Sequence, residues 1–132
     1  MKYAYTVVIT PNEDGTKFFA RVPDLPSCIT SGNSVLDAID MATDAASGWL
    51  CISEDNGDPV IPASAQCDIP HETSDILSVI AIDTLKYRAE NDTRAVRKNV
   101  SLPAWMAAMA DKRKINCSQV LQEGLIKILE SA

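Results

Sequence analysis

Arg97-Lys98-Asn99-Val100-Ser101-Leu102-Pro103 is the stretch on which the fold of this chain turns. Val100 and Leu102 alternate with Arg97, Asn99 and Ser101, the period-two pattern of a strand with one buried face. The outward set is one cation and two hydrogen-bonding side chains. Pro103 suits the first position of a helix, where its missing amide donor would have no partner in any case. Two short amphipathic helices are predicted beyond it. In the first, Trp105, Met106, Met109 and Ala110 supply the apolar face, and Lys112-Arg113-Lys114 places cations at the negative end. Asn116 opens the second, whose stripe is Val120, Leu121, Leu125, Ile128 and Leu129. Roughly thirty residues of two helices make too small a core to cover the strand alone. The strand therefore needs a twin. Two copies paired antiparallel form a ribbon that fits the major groove of DNA and presents Arg97, Asn99 and Ser101 twice.

Upstream, the pattern changes. Tyr3, Tyr5, Val7 and Ile9 alternate with Ala4, Thr6, Val8 and Thr10, giving a first strand. Pro11-Asn12-Glu13-Asp14-Gly15 is turn chemistry, and Lys17 to Val22 returns as the second strand of a hairpin. Pro23-Asp24-Leu25-Pro26 interrupts the ladder because two of its residues lack an amide donor. Cys28 to Ser31 is predicted as a short third strand. Ser34 then caps a helix, with Asp37 in its first turn and an apolar stripe of Val35, Ile39, Ala42, Ala46, Trp49 and Leu50. Asp37, Asp40 and Asp44 mark the wet side, and Asp55-Asn56-Gly57-Asp58-Pro59 stops the helix. Residues 59–75 carry three prolines and no period, so they read as an irregular connection. Leu77 to Ile82 is a continuous apolar run, expected as a buried strand. The expected fold class is α+β: a β-β-β-α-β domain over 1–85, a linker over 86–95 and a strand–helix–helix domain over 96–132.

Charge divides at the same place. Residues 1–85 hold three cations and thirteen carboxylates, a balance of −10, whereas residues 86–132 hold nine and five, a balance of +4. An acidic module repels nucleic acid and a basic one attracts it, so the halves are expected to have different partners. Cys28, Cys51, Cys67 and Cys117 are scattered and His71 is the single histidine, which leaves no zinc-ligand spacing. No metal or other cofactor is expected. No apolar run reaches the roughly 18 residues of a membrane helix, and the N-terminus lacks the pattern of a signal peptide, so a cytoplasmic location is expected.

The segment from Arg97 to Trp105, followed by Lys114-Ile115-Asn116-Cys117-Ser118-Gln119-Val120-Leu121, resembles the ribbon-helix-helix fold of dimeric repressors. That resemblance implies base reading by Arg97, Asn99 and Ser101, and a phosphate held at Asn116, Cys117 and Ser118 by the free amides of the second helix. Arginine suits guanine and asparagine suits adenine by donor–acceptor geometry. Lys98 stands where these strands often carry an inward apolar residue, and Lys114 where glycine usually ends the first helix. The N-terminal run, above all Pro23-Asp24-Leu25-Pro26-Ser27-Cys28-Ile29-Thr30 before a helix, resembles the HicB antitoxins, with Ser27 where glycine is common. This resemblance implies a partial ribonuclease-H-like N-terminal domain, a HicA-type RNA-cleaving toxin as protein partner, operator DNA as a second partner, and a homodimer or higher oligomer. Asp24 and Leu25, on a stiff loop between prolines, are candidate toxin contacts.

A nuclease would need carboxylates converging on metal ions. Asp37, Asp40 and Asp44 have the spacing of a solvated helix face instead, so no catalysis is expected. The competing function is a repressor whose N-terminal domain senses a small ligand or another protein.

Overall fold

A computed structural model describes residues 1–130 of the chain. It divides into two compact units, Lys2–Asn91 and Asp92–Ala132. In the first, four strands form one antiparallel sheet in the order β3-β2-β1-β4: β1 Lys2–Pro11, β2 Phe18–Arg21, β3 Ile29–Gly32 and β4 Ile76–Asp83. The odd residues of β1, Tyr5, Val7 and Ile9, are buried against α1, Val35–Asp55, with Ala38, Ala42, Ala46 and Leu50 facing them. Small residues on this face of α1 let the helix lie close to the sheet. Gly32 carries that to its limit, since a Cβ there would stand 2.4 Å from the Ala38 nitrogen.

The cap of α1 is as the sequence predicts. The Asp37 amide donates to Ser34 Oγ at 3.0 Å, and the Asn33 amide donates to Asp37 Oδ2 at 2.8 Å. The helix runs through Gly48, where a Cβ would stand 3.2 Å from the Tyr87 hydroxyl.

Two expectations need correction here. The apolar run at 77–82 is a sheet edge, buried on one face only, with Ile80 and Ile82 inside and Val79 57% exposed. Apolar composition alone cannot tell a two-sided from a one-sided strand. Residues 86–91, expected as linker, belong to a helix, α2 Thr84–Asn91, that packs on α1. Its polar sequence hides how it is held. Tyr3 Oη and Thr84 Oγ1 donate to Glu54 Oε2 at 2.8 and 2.9 Å, and Arg88 Nη2 donates to Glu54 Oε1 at 3.3 Å and to the Cys51 carbonyl at 3.1 Å. Burial raises the Glu54 pKa, but these donors outweigh it and leave the carboxyl below its ordinary 4.5. Tyr3, desolvated and bonded to that carboxylate, is pushed up to about 12.

The connection at 59–75 is tied down from several sides. Tyr5 Oη donates to the Ile61 carbonyl at 2.6 Å and Arg21 Nη2 to the Pro70 carbonyl at 2.9 Å, while Ile69 is buried. Its one regular piece is a short 3-10 turn at Gln66–Asp68.

The second unit contains α3, Ala104–Lys112, and α4, Cys117–Glu130. Residues 92–103 carry no regular element in the single chain, so the strand expected at 97–102 is not formed within it. A ladder requires a second strand. Helix α3 ends in a left-handed turn at Lys114, φ 53°. The Ile115 amide donates to the Ala110 carbonyl at 3.0 Å and the Lys114 amide to the Asp111 carbonyl at 3.1 Å, the paired bonds of a Schellman cap.

Candidate functional site

Among the described residues of the second unit, none is buried, although its sequence is rich in large apolar side chains. Val100, Trp105 and Ile128 are 59%, 64% and 66% exposed. Lys98, Val100 and Leu102 line a groove of about 390 Å³ together with Met106, Ile115, Val120 and Leu121. Alternate residues of the extended segment thus share the apolar side, and Arg97, Asn99 and Ser101 hold the intervening, exposed positions. Lys98 belongs to the groove wall, where its aliphatic stem can cover apolar surface while the ammonium stays wet.

Asn116 is the cap of α4, its Oδ1 accepting the Gln119 amide at 3.2 Å. The amides of Cys117 and Ser118 lie in the first turn, where no helical carbonyl precedes them. Both residues also border the apolar groove. The three candidate phosphate-binding positions therefore fall at one helix N-terminus, whose partial positive charge favours an anion.

The first unit, Lys2–Asn91, holds five cations and fourteen carboxylates. Asp40 and Asp44 of α1, Asp83 and Glu90 border a polar cleft of about 360 Å³ with Lys86 and Tyr87. Among the described residues no group of three or more histidines, cysteines or carboxylates is arranged to hold a metal ion. His71, the lone histidine, places Nδ1 2.9 Å from the Ile69 carbonyl.

The two proposed toxin contacts fare differently from the DNA candidates. Leu25 is 1% exposed, inside the core, and offers no side chain to a partner. Asp24 accepts the Ser64 amide at 2.9 Å and the Ser64 hydroxyl at 2.6 Å, so its carboxylate straps the 59–75 connection to the Pro23–Pro26 loop. The loop's stiffness serves packing. Glu54 and Arg88, 34 residues apart and without a local pattern that pairs them, form an ion pair at 3.3 Å in this unit.

A family model described as the HicB-like antitoxin of bacterial toxin–antitoxin systems matches residues 5–124. Among solved structures, the chain is similar to a toxin–antitoxin complex from Streptococcus pneumoniae, at 16% identity and a TM-score of 0.61, over 96% of this chain and 99% of that one. It is similar to the antitoxin HicB of Burkholderia pseudomallei at 21% identity and a TM-score of 0.54, over 96% and 98% of the two chains. A third likeness is to the antitoxin HicB3, with 23% identity and a TM-score of 0.51, over 92% and 93%. No curated protein matches the sequence. With 120 of its 132 residues spanned by the family model, the chain belongs to the HicB-like antitoxins of bacterial toxin–antitoxin systems.

Proposed function

We propose that this antitoxin binds and neutralises a small HicA-type RNA-cleaving toxin through its acidic unit, and represses its own operon in the cytoplasm through its basic one. The observation that carries the DNA half is the second unit's uncovered apolar groove, walled by Val100 and Leu102, with Arg97, Asn99 and Ser101 at the alternate positions. A second copy laid antiparallel along 97–102 covers that groove and completes a ribbon-helix-helix dimer. Arg97, Asn99 and Ser101 then face base edges, and Asn116, Cys117 and Ser118 receive a phosphate on each side. The charge supports the division of labour: Lys2–Asn91 sums to −9 and Asp92–Ala132 to +3. For the first unit, the β-β-β-α-β order supports a partial ribonuclease-H-like fold used for binding, without catalysis.

Leu102→Glu puts a charge into the dimer core and should give a monomer in light scattering with no operator binding. Arg97→Ala should weaken operator binding by about 1–3 kcal/mol while leaving the dimer intact. Operator affinity unchanged in Arg97→Ala would remove that residue from base reading. A Leu102→Glu protein that stays dimeric and binds operator would overturn the ribbon. For the toxin, co-expression with the small protein encoded beside it should yield a complex that survives deletion of residues 96–132. Absence of that complex counts against neutralisation by the acidic unit.

A further inference from the structure

Lys98 is the one charged residue among those that wall the apolar groove of the second unit. It holds an inward position of the alternation, on the side that Val100 and Leu102 continue. Among the described residues its side chain forms no hydrogen bond or ion pair. The carboxylates of this unit are engaged or elsewhere. Asp92 holds Arg94 at 2.9 Å and Glu123 Oε1 accepts from Gln119 Nε2 at 3.3 Å, and neither these nor Asp111 and Glu130 border the groove.

A second copy supplies no carboxylate either. Residues directly opposite in an antiparallel ladder share a face. A twofold axis through Val100 sets Lys98 against Leu102, and one through Asn99 sets it against Val100. An isolated ammonium is costly to bury, so Lys98 must carry its charge out of the dimer core. The polar positions on the groove wall are Cys117 and Ser118, in the first turn of α4. Their amides favour an anion, and an ammonium beside them is repelled until an anion arrives. One shared anion satisfies both.

We propose that Lys98 is a phosphate-contacting residue, an inference that rests on the DNA-binding reading given above. Its stem packs over the groove, and its ammonium joins the Cys117 and Ser118 amides on one backbone phosphate. The surroundings fit a polyanion: Arg97 precedes Lys98 on the outward row, and Asp92–Ala132 sums to +3. A lysine in place of an apolar inward residue thus gives up dimer packing for affinity that is blind to sequence.

Titrations over a salt series test this on the full chain, with a duplex covering the promoter of its own operon and an unrelated duplex of equal length. Lys98→Met keeps a long apolar stem and removes the charge. It should stay dimeric in light scattering and lose affinity for both duplexes by the same factor, about tenfold at physiological salt. Its plot of log affinity against log salt should be shallower by about 1.8, since the dimer carries Lys98 twice and each phosphate contributes about 0.9. Lys98→Arg should keep the native slope, and Arg97→Ala should instead lose preference for the promoter. A dimeric Lys98→Met chain with the native slope overturns the phosphate role and leaves DNA binding by the unit standing. A native chain with no affinity for either duplex overturns both. A Lys98→Met chain that is monomeric where the native chain is dimeric makes Lys98 a packing residue and overturns the assignment. Ser118→Asp gives a readout without DNA. The carboxylate should raise the thermal midpoint of the native dimer at fixed concentration, and raise it less in combination with Lys98→Met. Equal gains in the two backgrounds overturn the placing of the ammonium at the start of α4.

Discussion

At Ser27 and Lys114 the backbone takes positive φ, 64° and 53°, without a glycine. Ser27 sits third in the Leu25-Pro26-Ser27-Cys28 turn, where Pro26 fixes the preceding residue and the Cys28 amide donates to the Leu25 carbonyl at 3.1 Å. Lys114 is the left-handed residue of the cap that ends α3. For an L-residue this conformation costs about 1–2 kcal/mol, while glycine gives back about 0.4–1 kcal/mol through the freer unfolded chain. Ser27→Gly and Lys114→Gly should each stabilise the protein by about 0.5–1 kcal/mol, read as denaturation midpoints at one fixed protein concentration. Both positions were legible in the sequence as places where glycine is expected and absent.

The polar cluster at Glu54 is also a residue-scale matter, and it sets how stability responds to pH. Its folded pKa is depressed below 4.5, so the stability it contributes is present above that value and is lost as pH falls through the folded pKa. Tyr3 works at the other end. Raised from 10.0 to about 12, it contributes stability below pH 10 that is lost as pH rises toward 12. Tyr3→Phe should flatten that alkaline loss in a pH series of thermal melts. Glu54→Gln should destabilise the first unit by about 1–3 kcal/mol and weaken its acid dependence, because hydrogen bonds to a charged partner are the stronger kind. Melts of Glu54→Gln that keep the full acid dependence would assign it to other carboxylates.

At the scale of elements, local signals and tertiary context part company. α1 carries its start in its own sequence, and Ser34→Ala should lower stability by about 1 kcal/mol in chemical denaturation. α2 does not. It is short and polar, and within it only Thr84 is buried. Its helicity comes from docking on α1 through Arg88, with the Tyr87 hydroxyl set against Gly48. Isolated helices of this length are marginal in water, so a peptide of residues 84–91 should show no helix by circular dichroism. β4 makes the same point for strands: its apolar run was plain, but its place at the sheet edge was not.

At the scale of the whole molecule, the chain joins an acidic unit with its own core to a basic unit whose apolar surface is uncovered. These should unfold differently. The melting of Lys2–Asn91, which has its own core, should depend little on protein concentration, whereas that of Asp92–Ala132 should rise with it, since association drives its folding. Differential scanning calorimetry over a hundredfold concentration range checks this. A second transition that ignores concentration would remove the dimer from the DNA-binding proposal.

What is encoded over a few residues is legible in the chain alone: the alternation at 97–102, the Ser34 cap, the places of Ser27 and Lys114 where glycine is usual, the change of charge sign, and the motifs that resemble HicB antitoxins. Tertiary structure decided which of those residues are reachable. Leu25 looked like a surface contact and is core; Asp24 straps a loop; Glu54 gathers Tyr3, Thr84 and Arg88 from up to 51 residues away. Periodicity and turn chemistry report backbone conformation because they act through neighbouring peptide units. Burial and ion pairing depend on which distant segments meet, and no local pattern carries that information.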